Sequence, residues 1–265
     1  MQVINYLPEP TPERFHASDA FVRLLLGPLG SGKSVACVAE ILARSLRMPP
    51  KQDGIRYSRW ACVRNSYREL CDTTLKTFRD WIPDTICDFR EATMTAIVQF
   101  NDVHIEVLFR ALDRPEDTRK LLSLELTGAW LNEAREIDRA VFDAVQARVG
   151  RFPSRKDINA YWFGIILDTN PPDVDHWIYR IFEEDKPDEF EVYHQPSGLS
   201  STAENLHNLP ENYYTRIAKG KTSQWVDVYC KGQYGFIKEV SLYTQNLTMR
   251  HIPPPNHCFP RLGYL

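Results

Sequence analysis

A short glycine-rich stretch near the start of the chain carries the residue types best suited to chemistry. It runs Gly-Pro-Leu-Gly-Ser-Gly-Lys-Ser, which fits the pattern Gly-x-x-x-x-Gly-Lys-Ser. Glycine tolerates backbone angles that present consecutive N–H groups to the oxygens of a phosphate. The pattern therefore predicts a phosphate-binding loop in which every member contacts nucleotide: Gly27, Pro28, Leu29, Gly30, Ser31, Gly32, Lys33 and Ser34.

The last two residues of this loop predict ATP and Mg²⁺ as its ligands. Lys33 is expected to reach the β- and γ-phosphates, and the Ser34 hydroxyl is expected to hold the metal. The context favours this interpretation, because the apolar run 21–26 enters the loop as a buried strand would and apolar residues recur at helical spacing after Lys33. The alternative is a glycine-rich turn with a solvated lysine.

A carboxylate further along the chain favours hydrolysis over phosphoryl transfer. Glu133 follows Asn132 at the end of the apolar run 129–131. A carboxylate there could polarise a water towards the γ-phosphate, which a hydrolase needs and a kinase avoids. Asn132 stands where an aspartate would hold Mg²⁺ through water, and its amide supplies an oxygen but no charge. The alternative role of Glu133 is to cap the helix that follows it.

The positions of the apolar runs predict an α/β fold with a mostly parallel sheet flanked by helices. The proline-rich residues 1–20 predict an extended lead-in, and Asp168, Thr169 and Asn170 follow a predicted strand at the edge where ligands bind in open α/β sheets. The other predicted elements are buried strands at 60–63 and 163–167, a helix at 66–81, and a hairpin of 94–100 with 103–109.

Composition limits the class of protein without identifying a partner. The 265 residues are 43% hydrophobic and 25% charged, and the formal net charge of −3 offers no overall positive field to attract nucleic acid. No signal peptide is expected, because the amino terminus lacks a charged region followed by an apolar run. No membrane span is expected either, because the chain lacks a run of about 18 apolar residues. Periodicity changes after residue 200, which divides the chain into a core at 1–200, a small helical appendage at 201–238 and a linker at 239–265.

Several segments together resemble the ATPase domain of phage large terminase subunits, the motors that pump DNA into empty capsids. The resemblance covers residues 12–238. Besides the glycine-rich loop it is carried by Phe15-His16-Ala17-Ser18, Asp113-Arg114-Pro115-Glu116, Gly128-Ala129-Trp130-Leu131-Asn132-Glu133-Ala134-Arg135-Glu136, Asp168-Thr169-Asn170-Pro171-Pro172, Asn208-Leu209-Pro210-Glu211-Asn212-Tyr213-Tyr214 and Gly232-Gln233-Tyr234-Gly235.

This resemblance implies a P-loop NTPase fold of the additional-strand, catalytic-glutamate type, in which 201–238 form a helical lid subdomain. Glu133 looks like the catalytic glutamate. Thr169 and Asn170 look like the coupling motif, which senses the γ-phosphate; the alternative is a Thr-Asn-Pro turn that ends a strand. Full-length members carry a nuclease domain, whose place lies beyond residue 265, so no nuclease activity is expected from this chain.

An arginine is also needed to stabilise the charge that develops on the γ-phosphate. Many terminases place a basic residue inside the phosphate loop, and Leu29 occupies that place here. A finger supplied by a neighbouring subunit is therefore expected, with Arg119 as the candidate. A solvated role for Arg119 stays open, as do the rival candidates Arg114, Arg148 and Arg151.

The resemblance further implies partners and a location. They are double-stranded DNA, a portal protein, a small terminase subunit and four further copies in a ring of five on the capsid, in the host cell cytoplasm and away from any membrane. For the isolated chain a monomer is the alternative to the ring. Candidate DNA contacts are Arg151, Arg155, Lys156, Lys219 and Lys221, for which solvated loop charges are the alternative.

Three other functions remain open at this point. A helicase would separate strands, and a small-molecule kinase would transfer phosphate to an acceptor and leave Glu133 without a role. A nucleotide-binding switch would hydrolyse negligibly even with DNA and assembled rings.

Overall fold

The computed structural model describes residues 5–113, 115–158 and 162–235. One extended sheet dominates this part of the chain. Its strands are β1 (Val22–Leu26), β2 (Arg56–Arg64), β3 (Cys87–Arg90), β4 (Thr95–Phe100), β5 (Val103–Ala111), β6 (Gly128–Asn132), β7 (Gly164–Thr169) and β8 (Phe190–His194).

Helices cover both faces of this sheet. They are α1 (Pro10–Ala17), α2 (Lys33–Leu46), α3 (Tyr67–Glu69), α4 (Lys76–Trp81), α5 (Pro115–Leu121), α6 (Arg139–Gln146), α7 (Trp177–Tyr179), α8 (Tyr213–Ile217) and α9 (Ser223–Tyr229). A π-helical segment, Leu70–Leu75, joins α3 to α4, so the helix predicted at 66–81 is present with a wider turn inside it.

The central strands are buried on both faces, which explains their continuous apolar sequences. Every residue of β1, β6 and β7 is buried. Leu25 of β1 packs in a core that includes Ile41 of α2 and Phe78 of α4. Its neighbour Leu24 packs in a second core on the opposite face, which includes Phe142 of α6.

The strand order confirms the predicted fold class. The sheet runs β3-β4-β5-β2-β6-β7-β1-β8. The six neighbouring strands β5, β2, β6, β7, β1 and β8 are parallel to one another. Strand β4 pairs antiparallel with β5 and with β3. The strand β7 lies between β1, which enters the glycine-rich loop, and β6, which ends at Asn132. This inserted strand is the additional strand of the expected P-loop architecture, and the predicted hairpin is confirmed as β4 and β5.

The predicted extended lead-in was wrong, because residues 10–17 form α1. A proline at the start of a helix is well tolerated, since the N–H that it lacks has no partner in the first turn. The buried Phe15 anchors α1 to the core, and the Thr11 N–H donates to Glu204 at 2.8 Å. Strands β3 and β8 were not predicted, because they are only four and five residues long and none of their residues is buried.

Residues 201–235 contain α8 and α9, as expected for a small helical subdomain. The boundaries at 200 and 238 stay predictions, and the linker at 239–265 lies outside the described residues. No helix in the described ranges combines the length and the apolar character needed to span a membrane.

Candidate functional site

The glycine-rich loop connects β1 to α2 and depends on two glycines for its shape. Gly30 and Gly32 have φ angles of 70° and 82°, a region that other residues enter only at a cost. Gly32 lies directly before the first residue of the 14-residue helix α2. The loop therefore aims the unpaired N–H groups and the positive end of this helix at one point, which suits an anion.

Lys33 is buried inside this loop. Its Nζ donates to the carbonyl oxygens of Gly27 (3.2 Å) and Pro28 (2.7 Å) and to Ser31 Oγ (3.4 Å). Burial lowers the pKa of Lys33, while the negative charges of Glu133 and Asp168 oppose that shift. The ammonium group thus lies among weak neutral acceptors that phosphate oxygens can replace.

Ser34 contacts the carboxyl ends of the two neighbouring strands. Its Oγ donates to Asp168 Oδ2 at 2.7 Å and accepts from Asn132 Nδ2 at 3.2 Å. Asn132 and Asp168 are register partners on β6 and β7. The predicted metal residues Ser34 and Asn132 are therefore in contact. The Asp168 carboxylate contacts both of them, and the sequence did not predict a metal role for it.

Glu133 follows β6 in a left-handed conformation, with φ 50° and ψ 54°. Such a conformation costs a non-glycine residue about 1–3 kcal/mol and is concentrated at functional sites. Burial raises the pKa of its carboxyl group, and the nearby charge of Lys33 opposes the increase. A strained, half-buried glutamate close to the phosphate loop is a suitable general base.

The predicted coupling residues connect the loop to Glu133. Thr169 Oγ1 lies 3.5 Å from Glu133 Oε2, and the Gly27 N–H donates to the Thr169 carbonyl at 3.3 Å. Asn170 Nδ2 donates to the Gly27 carbonyl at 2.7 Å. The end of β7 thus touches both the phosphate loop and the candidate base.

The lid contacts the exposed side of the same loop. The Leu29 N–H donates to the Tyr229 carbonyl at 2.9 Å, and the Leu29 carbonyl accepts from the Tyr214 hydroxyl at 2.6 Å. Asn205 Nδ2 donates to the Gly30 carbonyl at 2.7 Å. Leu29, which replaces a basic residue in the resemblance, is therefore a point of contact between loop and lid.

Gln195, just after β8, supports the loop from within. Its Oε1 accepts from Ser31 Oγ at 2.7 Å, and its Nε2 donates to the Ser31 carbonyl at 2.8 Å. A cavity of about 550 Å³ adjoins the loop at Ser31, Gly32 and Val35 and extends to α1 and the lid. Its volume suits the nucleoside part of a nucleotide.

The candidate arginine and the candidate DNA contacts are exposed side chains. Arg119 is exposed on α5. Arg151 is exposed near the amino edge of the sheet, where its N–H donates to the carbonyl of Leu126, two residues before β6. Lys219 and Lys221 are exposed between α8 and α9, the two helices that contact Leu29 through Tyr214 and Tyr229. Arg114, a rival finger, lies outside the described residues.

The sequence did not predict three contacts of the site, which are made by Gln195, Tyr229 and the carboxylate of Asp168. A signal existed only for Asp168, because an uncharged Asn132 at the usual aspartate position invites a search for an acid at the end of another buried strand. Gln195 and Tyr229 lie in segments whose sequence carries no phosphate-binding pattern.

The fold and this loop together define a P-loop NTPase of the additional-strand type. The family model described as phage terminase large subunit matches residues 19–231. The chain belongs to that family. A comparison with curated protein sequences returns no match.

Solved structures share the fold at low sequence identity. The large terminase of a thermophilic bacteriophage superimposes with a TM-score of 0.69 at 12% identity, over 86% of this chain and 53% of that one. The large-terminase ATPase domain of a Thermus phage gives 0.60 at 16% identity, over 86% and 94%. The large terminase of bacteriophage HK97 gives 0.61 at 10% identity, over 86% and 51%.

This chain thus spans about half the length of the first of these structures. The same thermophilic phage protein has been solved in complex with ADP and with ATP-gamma-S.

Proposed function

We propose that this chain hydrolyses ATP at the loop Gly27–Ser34 and acts as the motor ATPase of phage DNA packaging. The observation that carries the proposal is the bridge formed by Thr169, which contacts Gly27 through its carbonyl and Glu133 through its hydroxyl. It holds a phosphate loop and a candidate base against the same strand end. Membership of the terminase family and the nucleotide complexes of a fold relative support the choice of ATP.

Lys33 has the central binding role in this proposal. When the triphosphate enters, its ammonium group exchanges the carbonyls of Gly27 and Pro28 for β- and γ-phosphate oxygens, which are stronger acceptors because they are charged. The N–H groups between Gly30 and Ser34 bind the remaining oxygens. The nucleoside would lie in the cavity beside Val35.

Glu133 serves as the general base. Its carboxylate takes a proton from a water molecule as that water attacks the γ-phosphorus, and ADP leaves with the bridging oxygen. Thr169 orients the carboxylate, and Asn170 ties the same strand end to Gly27. Loss of the γ-phosphate is then transmitted to β7 through these two residues.

The polar groups beside Ser34 fit Mg²⁺. This ion prefers oxygen ligands and is bound through one or two carboxylates together with substrate phosphates. The Ser34 hydroxyl and the carboxylate beside it at the end of β7 supply such oxygens. Mg²⁺ bound there would neutralise charge on the β- and γ-oxygens.

The assembly belongs to the same proposal. Double-stranded DNA is the translocated polymer, a portal protein is the docking site, a small terminase subunit is a further partner, and five copies form a ring in the host cytoplasm. An arginine from a neighbouring copy, Arg119, completes each site. The exposure of Arg119 on α5 supports this role, because a trans finger must be accessible to another subunit.

The test is an ATPase and packaging assay with and without portal-bound capsids and DNA. Lys33→Ala should bind nucleotide poorly. Glu133→Ala should bind nucleotide but lose turnover by about 100-fold or more, as expected for removal of a general base. Glu125→Ala, at an exposed glutamate just before β6, is the matched control.

Normal turnover of Glu133→Ala would refute the role of this carboxylate. Strand separation in an unwinding assay would favour a helicase instead. Phosphate transfer to a small acceptor would favour a kinase.

A further inference from the structure

Asp168 is a fully buried carboxylate at the end of β7. Its Oδ1 accepts from Trp130 Nε1 at 2.7 Å and from Asn132 Nδ2 at 3.0 Å. Its Oδ2 accepts from Ser34 Oγ at 2.7 Å and, at 3.2 Å, from the same Asn132 amide. Each oxygen is thus held by two contacts, which fixes the carboxylate beside the first turn of α2.

All of these direct partners are neutral. Among the described residues, no ion pair involves Asp168, although Lys33 inside the loop is close enough for the two charges to interact. A buried charge without a close counter-charge costs several kcal/mol in real proteins. A cation bound next to Asp168 and Ser34 would offset this cost, because it supplies the missing counter-charge.

Asn132 offers this place an N–H₂ group rather than an oxygen. Its Oδ1 accepts from the Thr74 hydroxyl at 2.6 Å, while its Nδ2 points to Asp168 and Ser34. The reverse orientation would press the amide oxygen against a carboxylate, which has no proton to donate. Asn132 therefore lacks a free oxygen for a metal in this arrangement.

The Ser34 hydroxyl is oriented by the same network. Because its single proton is donated to Asp168 and one lone pair accepts from Asn132, one lone pair remains for a cation. In P-loop NTPases the loop serine and an aspartate hold Mg²⁺ together. The donor set here matches that pair, but its carboxylate comes from β7 instead of β6.

We propose that Asp168, and not Asn132, is the carboxylate that holds nucleotide-bound Mg²⁺ together with Ser34. The acid lies on β7 at the register partner of Asn132, a sideways shift of about 4.8 Å from the usual position on β6. Asn132 then positions Asp168 through its N–H₂ group. This inference rests on the proposed function, because it assigns the metal of the same site.

The experiment measures the affinity of a fluorescent ADP with and without Mg²⁺. The wild-type chain should bind more tightly when Mg²⁺ is present. Asp168→Asn should lose most of this gain, because a weakened metal site costs about 10- to 100-fold in metal affinity. Its affinity without Mg²⁺ should be unchanged or higher, since a negative charge near the phosphates has been removed.

The exchange variant Asn132→Asp with Asp168→Asn tests the relation between the two strands. It returns the acid to β6 and the amide to β7, and it should recover at least part of the Mg²⁺-dependent gain. Thermal melting of each variant shows whether it is folded. A merely structural Asp168 would weaken binding with and without the metal alike, which would overturn the inference.

A measurement on the wild-type chain needs no variant to fold. Mn²⁺ replaces Mg²⁺ with ADP, and the protein carries carbon-13 either in aspartate carboxyl or in asparagine amide carbons. Pulsed electron–nuclear double resonance should give the larger carbon coupling for the aspartate label. The reverse order would overturn the assignment.

These outcomes separate the two proposals. If wild-type protein binds no ADP under any condition, the proposed function fails. If it binds ADP with a clear Mg²⁺ gain and Asp168→Asn keeps that gain, only the assignment of Asp168 fails.

Discussion

Thr169 contacts the two halves of the site with different atoms. Its carbonyl accepts from Gly27 at the start of the phosphate loop, and its hydroxyl faces Glu133 and also accepts from the Arg135 N–H at 3.3 Å. The hydroxyl can therefore respond to the position of the carboxylate without altering the backbone contact to the loop. This separation makes a selective variant possible.

We expect Thr169→Val to keep its affinity for ATP but to lose orientation of Glu133. A small misplacement of a catalytic group can lower the rate by up to about 100-fold. Nucleotide binding and DNA-stimulated turnover should be measured together, with Thr73→Val on the exposed side of the helical segment as the control. Unchanged turnover would show that the hydroxyl has no positioning role.

At the scale of elements, α2 is fixed by a buried ionic cluster as well as by apolar packing. Glu40 of α2 is fully buried and accepts from Arg23 of β1 at 2.7 Å and from Arg44 at 2.6 Å. His16 of α1 contacts the other oxygen of Glu40 at 2.6 Å. One carboxylate thus connects α1 with β1 and α2, the two elements that flank the phosphate loop.

Glu40→Ala should lower the free energy of unfolding by about 3–5 kcal/mol, because it leaves the buried Arg23 without its counter-charge and leaves Arg44 paired with Asp19 alone. Urea denaturation measures this change. Glu13→Ala, an exposed position on α1, should stay within about 0.5 kcal/mol of the wild type. Equal effects of both variants would show that the cluster adds little stability.

The same cluster predicts a dependence of stability on pH. Burial alone would raise the pKa of Glu40, but the hydrogen bond with His16 and the charges of Arg23 and Arg44 outweigh it and lower the pKa. The ionised form therefore stabilises the folded state above the ordinary value of 4.5, and this contribution is lost as the pH falls through the lower folded value. The stability advantage of the wild type over Glu40→Gln should narrow at acid pH.

At the scale of the whole molecule, the segment after β8 is connected to the phosphate loop. Tyr214, Tyr229 and Asn205 of the lid form hydrogen bonds to the phosphate loop. A movement of the lid therefore displaces the loop, and a movement of the loop displaces the lid. Arg119 is exposed on α5. In the ring that we propose, the exposed arginine of one copy is therefore available to the nucleotide of the next copy.

Arg119→Ala should abolish hydrolysis in assembled rings and spare nucleotide binding, since a finger contributes about 10³- to 10⁵-fold to turnover. Lys120→Ala, the next cation on α5, is the matched control because its side chain is paired with Asp117. Loss of nucleotide binding by Arg119→Ala would count against the finger.

Mixed rings decide whether the finger acts in trans. Copies with Lys33→Ala keep Arg119, and copies with Arg119→Ala keep an intact loop. Mixing them on portal-bound capsids should restore part of the ATPase activity if neighbours supply the arginine. An arginine that acts within its own subunit would give no such recovery.

The sequence by itself determined the parts of this protein that depend on local geometry. The conformation of the phosphate loop could be predicted because it depends on neighbouring residues alone. Its glycines permit the unusual backbone angles, and the helix that begins at Lys33 follows directly in the sequence. Buried parallel strands are likewise visible as apolar runs. The acid at 133 could be predicted since it directly follows such a run.

Only the tertiary structure decided which strand ends are neighbours. Ser34 and Asp168 are 134 positions apart, and they meet because β7 lies between β1 and β6. Strand order depends on how helices cross over and pack, which no local pattern records. For the same reason the lid contacts of Leu29, the support from Gln195 and the buried partners of Glu40 became visible only in the folded chain.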